Sequence, residues 1–116
     1  IPLLDKDAPD VLGRLSSMGF KVIIVTSRTR SDEFSVSSWL EKNKIKVDKV
    51  VFLGYWRRKS EYSGFDILVD DDVEEIRSTI EVGKVGIIYT QPWNRRKIVR
   101  DAHRILRFRE LEKILS

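Results

Sequence analysis

Apolar residues along this chain alternate between continuous runs with strand character and stretches with helical spacing. Residues 8 to 19 place Val11, Leu12, Leu15 and Met18 on one face, so the spacing predicts a helix stopped by Gly19. Asp7 stands where an N-cap belongs, Pro9 falls in the first turn, and Asp10 adds a second acid near the helix N-terminus. KVIIVT (21 to 26) is the unbroken β-branched run expected of a parallel strand covered on both faces. A second helix is predicted over 32 to 43, around Phe34, Trp39 and Leu40. Further strands are predicted at 47 to 54, 65 to 70 and 84 to 90, with DVEEIRSTIEVG between the last two as a helix closed by Gly83. The final stretch, 95 to 115, reads as one amphipathic helix with Ile98, Ala102, Ile105, Leu106 and Leu111 on its apolar stripe.

Repeated β-α-β units imply an α/β fold: an open, mostly parallel sheet with helices on both faces and one domain over 1 to 116. No repeat, linker or low-complexity stretch interrupts it. In such sheets ligands bind at the carboxyl ends of the strands, and three strand ends carry polar chemistry. The first ends in Thr26, Ser27 and Arg28. The second is followed by YWRRKSEYSGF, in which Lys59 comes after Arg57 and Arg58. The third ends in Asp70, Asp71 and Asp72, three adjacent carboxylates that repel one another and call for compensation. A hydroxyl, a cation and a carboxylate pair on one rim make a constellation for a phosphoryl group and a divalent ion. The hydroxyl and nearby amides bind phosphoryl oxygens, the ammonium neutralises charge, and the carboxylates hold a hard, oxygen-preferring cation.

Each of these residues also has a plainer role. Thr26 can cap its turn, RRK can be a solvated loop in which Arg57 or Arg58 is the working cation, and Asp72 suits the N-cap of the next helix. Trp93 and Asn94 fit the lining of the site, and Trp93 fits the core equally well. Trp39 and Trp56 read as packing residues, and His103 as a surface residue among arginines.

Composition narrows the chemistry. Among 116 residues there is no cysteine and a single histidine, which excludes disulfides and thiolate metal sites and argues against zinc. No apolar run approaches the roughly 18 residues of a membrane span, and no secretory signal pattern opens the chain. A cytoplasmic location is therefore expected. Twenty-two Lys and Arg face 18 acids, a net +4 that favours anionic ligands.

Taken in order, these segments resemble the haloacid dehalogenase superfamily of phosphatases, closest to its 5′-nucleotidase and deoxyribonucleotidase-like branch. VIIVTSR resembles the second motif, with Thr26 at the strand end. Lys59 stands in the place of the third-motif lysine, and ILVDDDVEEI resembles the fourth, so that Asp70 and Asp71 match the metal-binding acids. YTQPWNR (89 to 95) resembles the Pro-aromatic-Asn segment after the last strand of the nucleotidase branch. The resemblance implies a three-layer Rossmann-like core and Mg²⁺-dependent hydrolysis of a phosphorylated small molecule, such as a nucleotide. In that reading Thr26 and Lys59 are catalytic, Ser27, Arg28 and Asn94 bind substrate, and Asp70 and Asp71 hold Mg²⁺.

The family's first motif, an apolar strand ending Asp-x-Asp that supplies the nucleophile, has no convincing copy. IPLLDKD (1 to 7) has Asp5 and Asp7 at the right spacing, but Pro2 is unsuited to a central strand, and the stretch reads better as a link into the following helix. The chain opens on Ile1 rather than Met, so the motif and the cap are expected upstream. The absent strand belongs between those ending at Thr26 and Asp70. A gap is therefore expected there, filled by an upstream segment, a second chain, or residues 1 to 4. Two alternatives remain: a non-catalytic module on the same fold, and a nucleic-acid binder that uses the basic 95 to 115 helix.

Overall fold

Helix α1 covers Ala8–Ser17 in the computed structural model, which describes residues 5–55 and 57–116. Its start differs from expectation. Asp7 already has helical φ and ψ (−81°, −14°) and its side chain caps nothing. Asp5 does the work instead: its Oδ1 accepts from Asp7 N (3.1 Å) and its carbonyl accepts from Ala8 N (3.1 Å). The helix ends as predicted. Gly19 takes φ +101°, which only glycine adopts without strain, and the Gly19 and Phe20 amides donate back to Ser16 O and Leu15 O.

The chain continues through β1 (Ile23–Thr26), α2 (Glu33–Lys42), β2 (Lys49–Phe52), β3 (Ile67–Asp70), α3 (Val73–Glu81), β4 (Val85–Tyr89), β5 (His103–Ile105) and α4 (Leu111–Leu115). Every strand pair is parallel, but the strands form two sheets, β1-β2 and β3-β4-β5. The expected single sheet is thus divided, and β1 and β3 are not hydrogen-bonded to each other. The strands ending at Thr26 and Asp70, between which a further strand was expected, therefore belong to different sheets. Residues 1 to 4, one candidate for supplying that strand, lie outside the described residues, as does Trp56.

Side chains hold the two sheets together. One core cluster joins α1, β4, β5 and α4 through Val11, Leu15, Ile87, Ile105 and Leu111. A second packs Leu68 and Ile88 under Val73 and Ile76 of α3, so the three-stranded sheet is covered on both faces. A third gathers Val36, Leu40 and Ile45 on the β1-β2 sheet, with Trp39 packed against it as expected. Leu12 touches the first and third clusters, and Val25 of β1 reaches the second. Phe34, expected on the core side of α2, is instead 83% exposed, because Val36 and Leu40 define the buried face.

The largest departure is the C-terminal stretch. Residues 95 to 115 do not form one helix: a tight turn over 92 to 96 leads to β5, a 3-10 turn at Phe108–Glu110, and the short α4. The expected stripe divides accordingly. Ile105 and Leu111 are buried, whereas Ile98 is 90% exposed and Leu106 lies at the surface. Asp101 takes φ +67°, which interrupts any helix, and β5 gives the outer edge of β4 a hydrogen-bonding partner. His103 is exposed, but on a strand.

Gly86 sets how closely α3 can approach β4. A Cβ there would lie 2.8 Å from Ile76 Cγ2 and 3.3 Å from the Ile76 carbonyl oxygen. Gly86→Ala is expected to cost about 1–3 kcal/mol by overpacking this contact, measured as a lowered urea midpoint with an unchanged slope.

Candidate functional site

The loops that follow β1, β2, β3 and β4 are tied into one rim. After β1, Thr26 O accepts from Leu53 N (2.9 Å) and Arg28 O from Gly54 N (3.3 Å), which joins the first two loops. The loop after β2 then runs to a 3-10 turn, Lys59–Glu61, and Lys59 Nζ reaches Asp70 Oδ2 at 2.6 Å. The turn after β4 is joined to the same place, since Asn94 Nδ2 donates to Asp71 O (2.8 Å). No helix among the described residues is long and apolar enough to cross a membrane.

Asp70 is buried, and a buried carboxylate must be paired and hydrogen-bonded. Lys59 takes one oxygen, and Asp72 N donates to the other (3.0 Å). Asp72 then caps α3 as expected, with extended backbone and its Oδ1 accepting from Glu74 N (2.9 Å). Asp71 sits between these two satisfied neighbours and has no ion-pair partner of its own among the described residues. Burial first, and then the adjacent Asp70 carboxyl, push it up from the usual 3.8 to about 6. Among the described residues no three His, Asp or Glu converge on one point. Mg²⁺ does not need three, because it keeps several waters and is held by one or two carboxylates plus substrate phosphate. The crowded Asp70–Asp71 pair, short of positive charge, fits such an ion.

The predicted residues divide into two groups. Lys59, Asp70, Asp71 and Asn94 form one connected set. Thr26, Ser27 and Arg28 occupy the neighbouring loop, and no hydrogen bond among the described residues links their side chains to Lys59 or the acids. Thr26 Oγ1 accepts from Arg28 N (3.1 Å), which leaves its O–H free to donate elsewhere. Asn94 is 1% exposed, and its amide is engaged with Asp71 O, Tyr89 O and Gln91 N, so it braces the rim from beneath. Trp93 is 60% exposed, which removes the core reading for it. Asp5 is occupied as well: its Oδ2 accepts from Tyr89 Oη (3.2 Å) and Phe108 N (2.7 Å). Burial, then this carboxylate, hold the Tyr89 phenol above its ordinary value.

Two positioning residues had escaped notice. Glu75, buried on α3, accepts from Arg58 Nη1 (3.2 Å) and from Lys59 N (3.1 Å), so it holds the segment that delivers Lys59. The signal lay in α3 itself, where Glu75 and Thr79 sit one turn apart on a buried face. Arg104 of β5 clamps the turn after β4. Its Nη1 donates to Thr90 Oγ1 (3.1 Å) and Asn94 Oδ1 (3.3 Å), and its Nη2 to the carbonyls of Asn94 and Lys97. At the rim Arg77 lowers the Glu74 carboxyl most, with weaker pulls from Arg58 and Lys97 that bring both loops near the start of α3.

No protein-family model, curated protein or solved structure matches the chain.

Because Asp71 holds its proton more tightly when folded, unfolding releases that proton between about pH 4 and 6. The Asp71 contribution to stability is therefore present below pH 4 and is lost as pH rises through about 6. Asp71→Asn should raise the melting temperature above pH 6 and flatten its fall between pH 4 and 6 in a thermal-denaturation series. Glu75→Ala should cost about 1–3 kcal/mol by leaving the Lys59 amide unpaired, with faster amide exchange at Lys59 as the local readout.

Proposed function

We propose that this chain is the core of a Mg²⁺-dependent phosphomonoester hydrolase of the haloacid dehalogenase type, with the three-layer Rossmann-like architecture of that superfamily. The observation that carries the reading is the Lys59–Asp70 pair beside the electrostatically crowded Asp71, on the rim where the β1 turn also ends. The divided sheet supports it, because the strands that bear Thr26 and Asp70 are not paired with each other, as an order with a further strand between them requires. In this reading that strand brings the Asp-x-Asp nucleophile and acid/base pair, from an upstream segment or a second chain. Asp5 lies just ahead of α1 rather than at the end of a strand; there it ties Asp7, Tyr89 and Phe108 together, and it is not read in that role.

The residues present divide the remaining work. The Thr26 hydroxyl donates to a phosphoryl oxygen, and the turn amides and side chains of Ser27 and Arg28 line its other side. Lys59, fixed by Asp70 and by Glu75 at its backbone, holds positive charge against the phosphoryl group as negative charge builds up in transfer. Asp70 and Asp71 hold the metal, and Asn94 keeps the Asp71 carbonyl in place. A magnesium ion held by these two carboxylates would supply positive charge to the phosphoryl oxygens. The substrate is a phosphorylated small molecule of the nucleotide class, and the site faces an intracellular, magnesium-rich solution.

The same site makes a prediction that needs no substrate. Mg²⁺ at about ten times its dissociation constant should stabilise the protein by about 1.4 kcal/mol at pH 7.5, a rise of several degrees in melting temperature, with a further rise on adding orthophosphate. Asp71→Asn should abolish the first rise and Lys59→Met the second. Below pH 6 the effect of Mg²⁺ should fade, because the ion must displace the Asp71 proton. An unchanged melting temperature at 10–20-fold higher Mg²⁺, with Ca²⁺ and Mn²⁺ equally silent, is the result that ends the reading.

A further inference from the structure

The turn after β4 has features that phosphoryl transfer does not require. It is rigid beneath: Asn94 N and Arg95 N both donate to Gln91 O, Lys97 N donates to Asn94 O, and the Arg104 guanidinium clamps the carbonyls of Asn94 and Lys97. Its outer surface is the reverse, with the exposed Trp93 indole followed by exposed Arg95, Arg96, Lys97 and Arg100. Among the described residues only Arg100 has an acid in reach, Asp101 at 4.0 Å, and both side chains are open to solvent. The turn is joined to the candidate site through Asn94 Nδ2 and Asp71 O, and Lys97 is near enough to lower the Glu74 carboxyl at the start of α3.

We propose that this turn is a binding track for single-stranded nucleic acid that leads a phosphorylated strand end to the Lys59–Asp70–Asp71 rim. An aromatic face beside a run of unpaired cations is the combination that binds single strands without sequence preference: bases stack on the ring, and phosphates follow the cations. The track carries more positive charge than one phosphate needs, which favours a polyanionic strand over a lone mononucleotide. Only two large apolar side chains, Trp93 and Ile98, are exposed beside the cations, too few to favour a lipid surface. The track binds through side chains on a turn, so it does not depend on the helix once expected at 95 to 115. The proposal rests on the phosphoryl-site reading only where the strand ends.

Fluorescence anisotropy with labelled tetrathymidylate, with and without a terminal phosphate, separates the two parts. Trp93→Ala should weaken binding of both oligomers roughly tenfold, and Trp93→Phe much less. The triple variant Arg95→Gln, Arg96→Gln, Lys97→Gln should flatten the dependence of log affinity on log salt by about two, at roughly 0.7 per phosphate contact. All four side chains are exposed, so these variants are expected to fold. The phosphorylated oligomer should bind more tightly in Mg²⁺, and orthophosphate should remove only that difference. Equal binding of the two oligomers, with both still sensitive to Trp93→Ala, keeps the track and sinks the phosphoryl site. Wild-type affinity in Trp93→Ala and in the triple variant overturns the track, as does binding to anionic phosphatidylserine vesicles without binding to either oligomer.

Discussion

Asp70 is a carboxyl group taken out of water at the end of a strand, and much of the local architecture exists to supply its partners. Lys59 must come to it from the other sheet, so the long loop after β2 is drawn toward the end of β3. That loop is in turn fixed by Glu75, which means that α3 must begin at Asp72 and present its first turn to the same rim. The amide of Asp72 closes the remaining oxygen. Breaking one partner of such a buried pair leaves an uncompensated charge, a penalty of about 3–5 kcal/mol. The rim is therefore held by electrostatic necessity, and Asp71 carries the cost, adjacent to a satisfied anion and with no ion-pair partner among the described residues.

The divided sheet poses a related problem. Parallel strands are normally buried within a continuous hydrogen-bonded ladder, yet β1 and β3 belong to separate sheets. Their union comes from side chains, with Leu12 shared between two clusters and Val25 inserted into the cluster under α3. Apolar contact is tolerant of small shifts in a way that a ladder is not. A seam made this way can hold the two halves together and still admit a strand.

Much of the fold was legible in the pattern of apolar residues. Strands β1 to β4 and helices α1 to α3 lie where their periodicity placed them, and Gly19 and Gly83 take the positive φ that their positions as helix stops require. The candidate site was partly legible because Asp70 ends β3, Asp72 opens α3 and Lys59 lies on the loop after β2, where order along the chain implies proximity. The stretch from 95 to 115 misled because its apolar spacing suits a helix equally well. A strand won there because β4 offered an open edge and because Asn94 and Arg104 spend their side chains on backbone carbonyls. Glu75 and Arg104 were hidden for a similar reason. A charged residue that works by holding another loop has no local signature, only a partner distant in sequence.

Asp5 accepts from the amide of Phe108, and Arg14 pairs with Glu112, so the first described helix is stitched to the last. Val11 and Leu15 find part of their cover only in Phe108 and Leu111. On the ribosome, α1 emerges about ninety residues ahead of that cover, five to twenty seconds at the usual pace of synthesis. Through that interval the part of its apolar face that Phe108 and Leu111 cover is open to chaperones or to neighbouring nascent chains, and the packing of the N-terminal helix is completed only when the C-terminal third arrives.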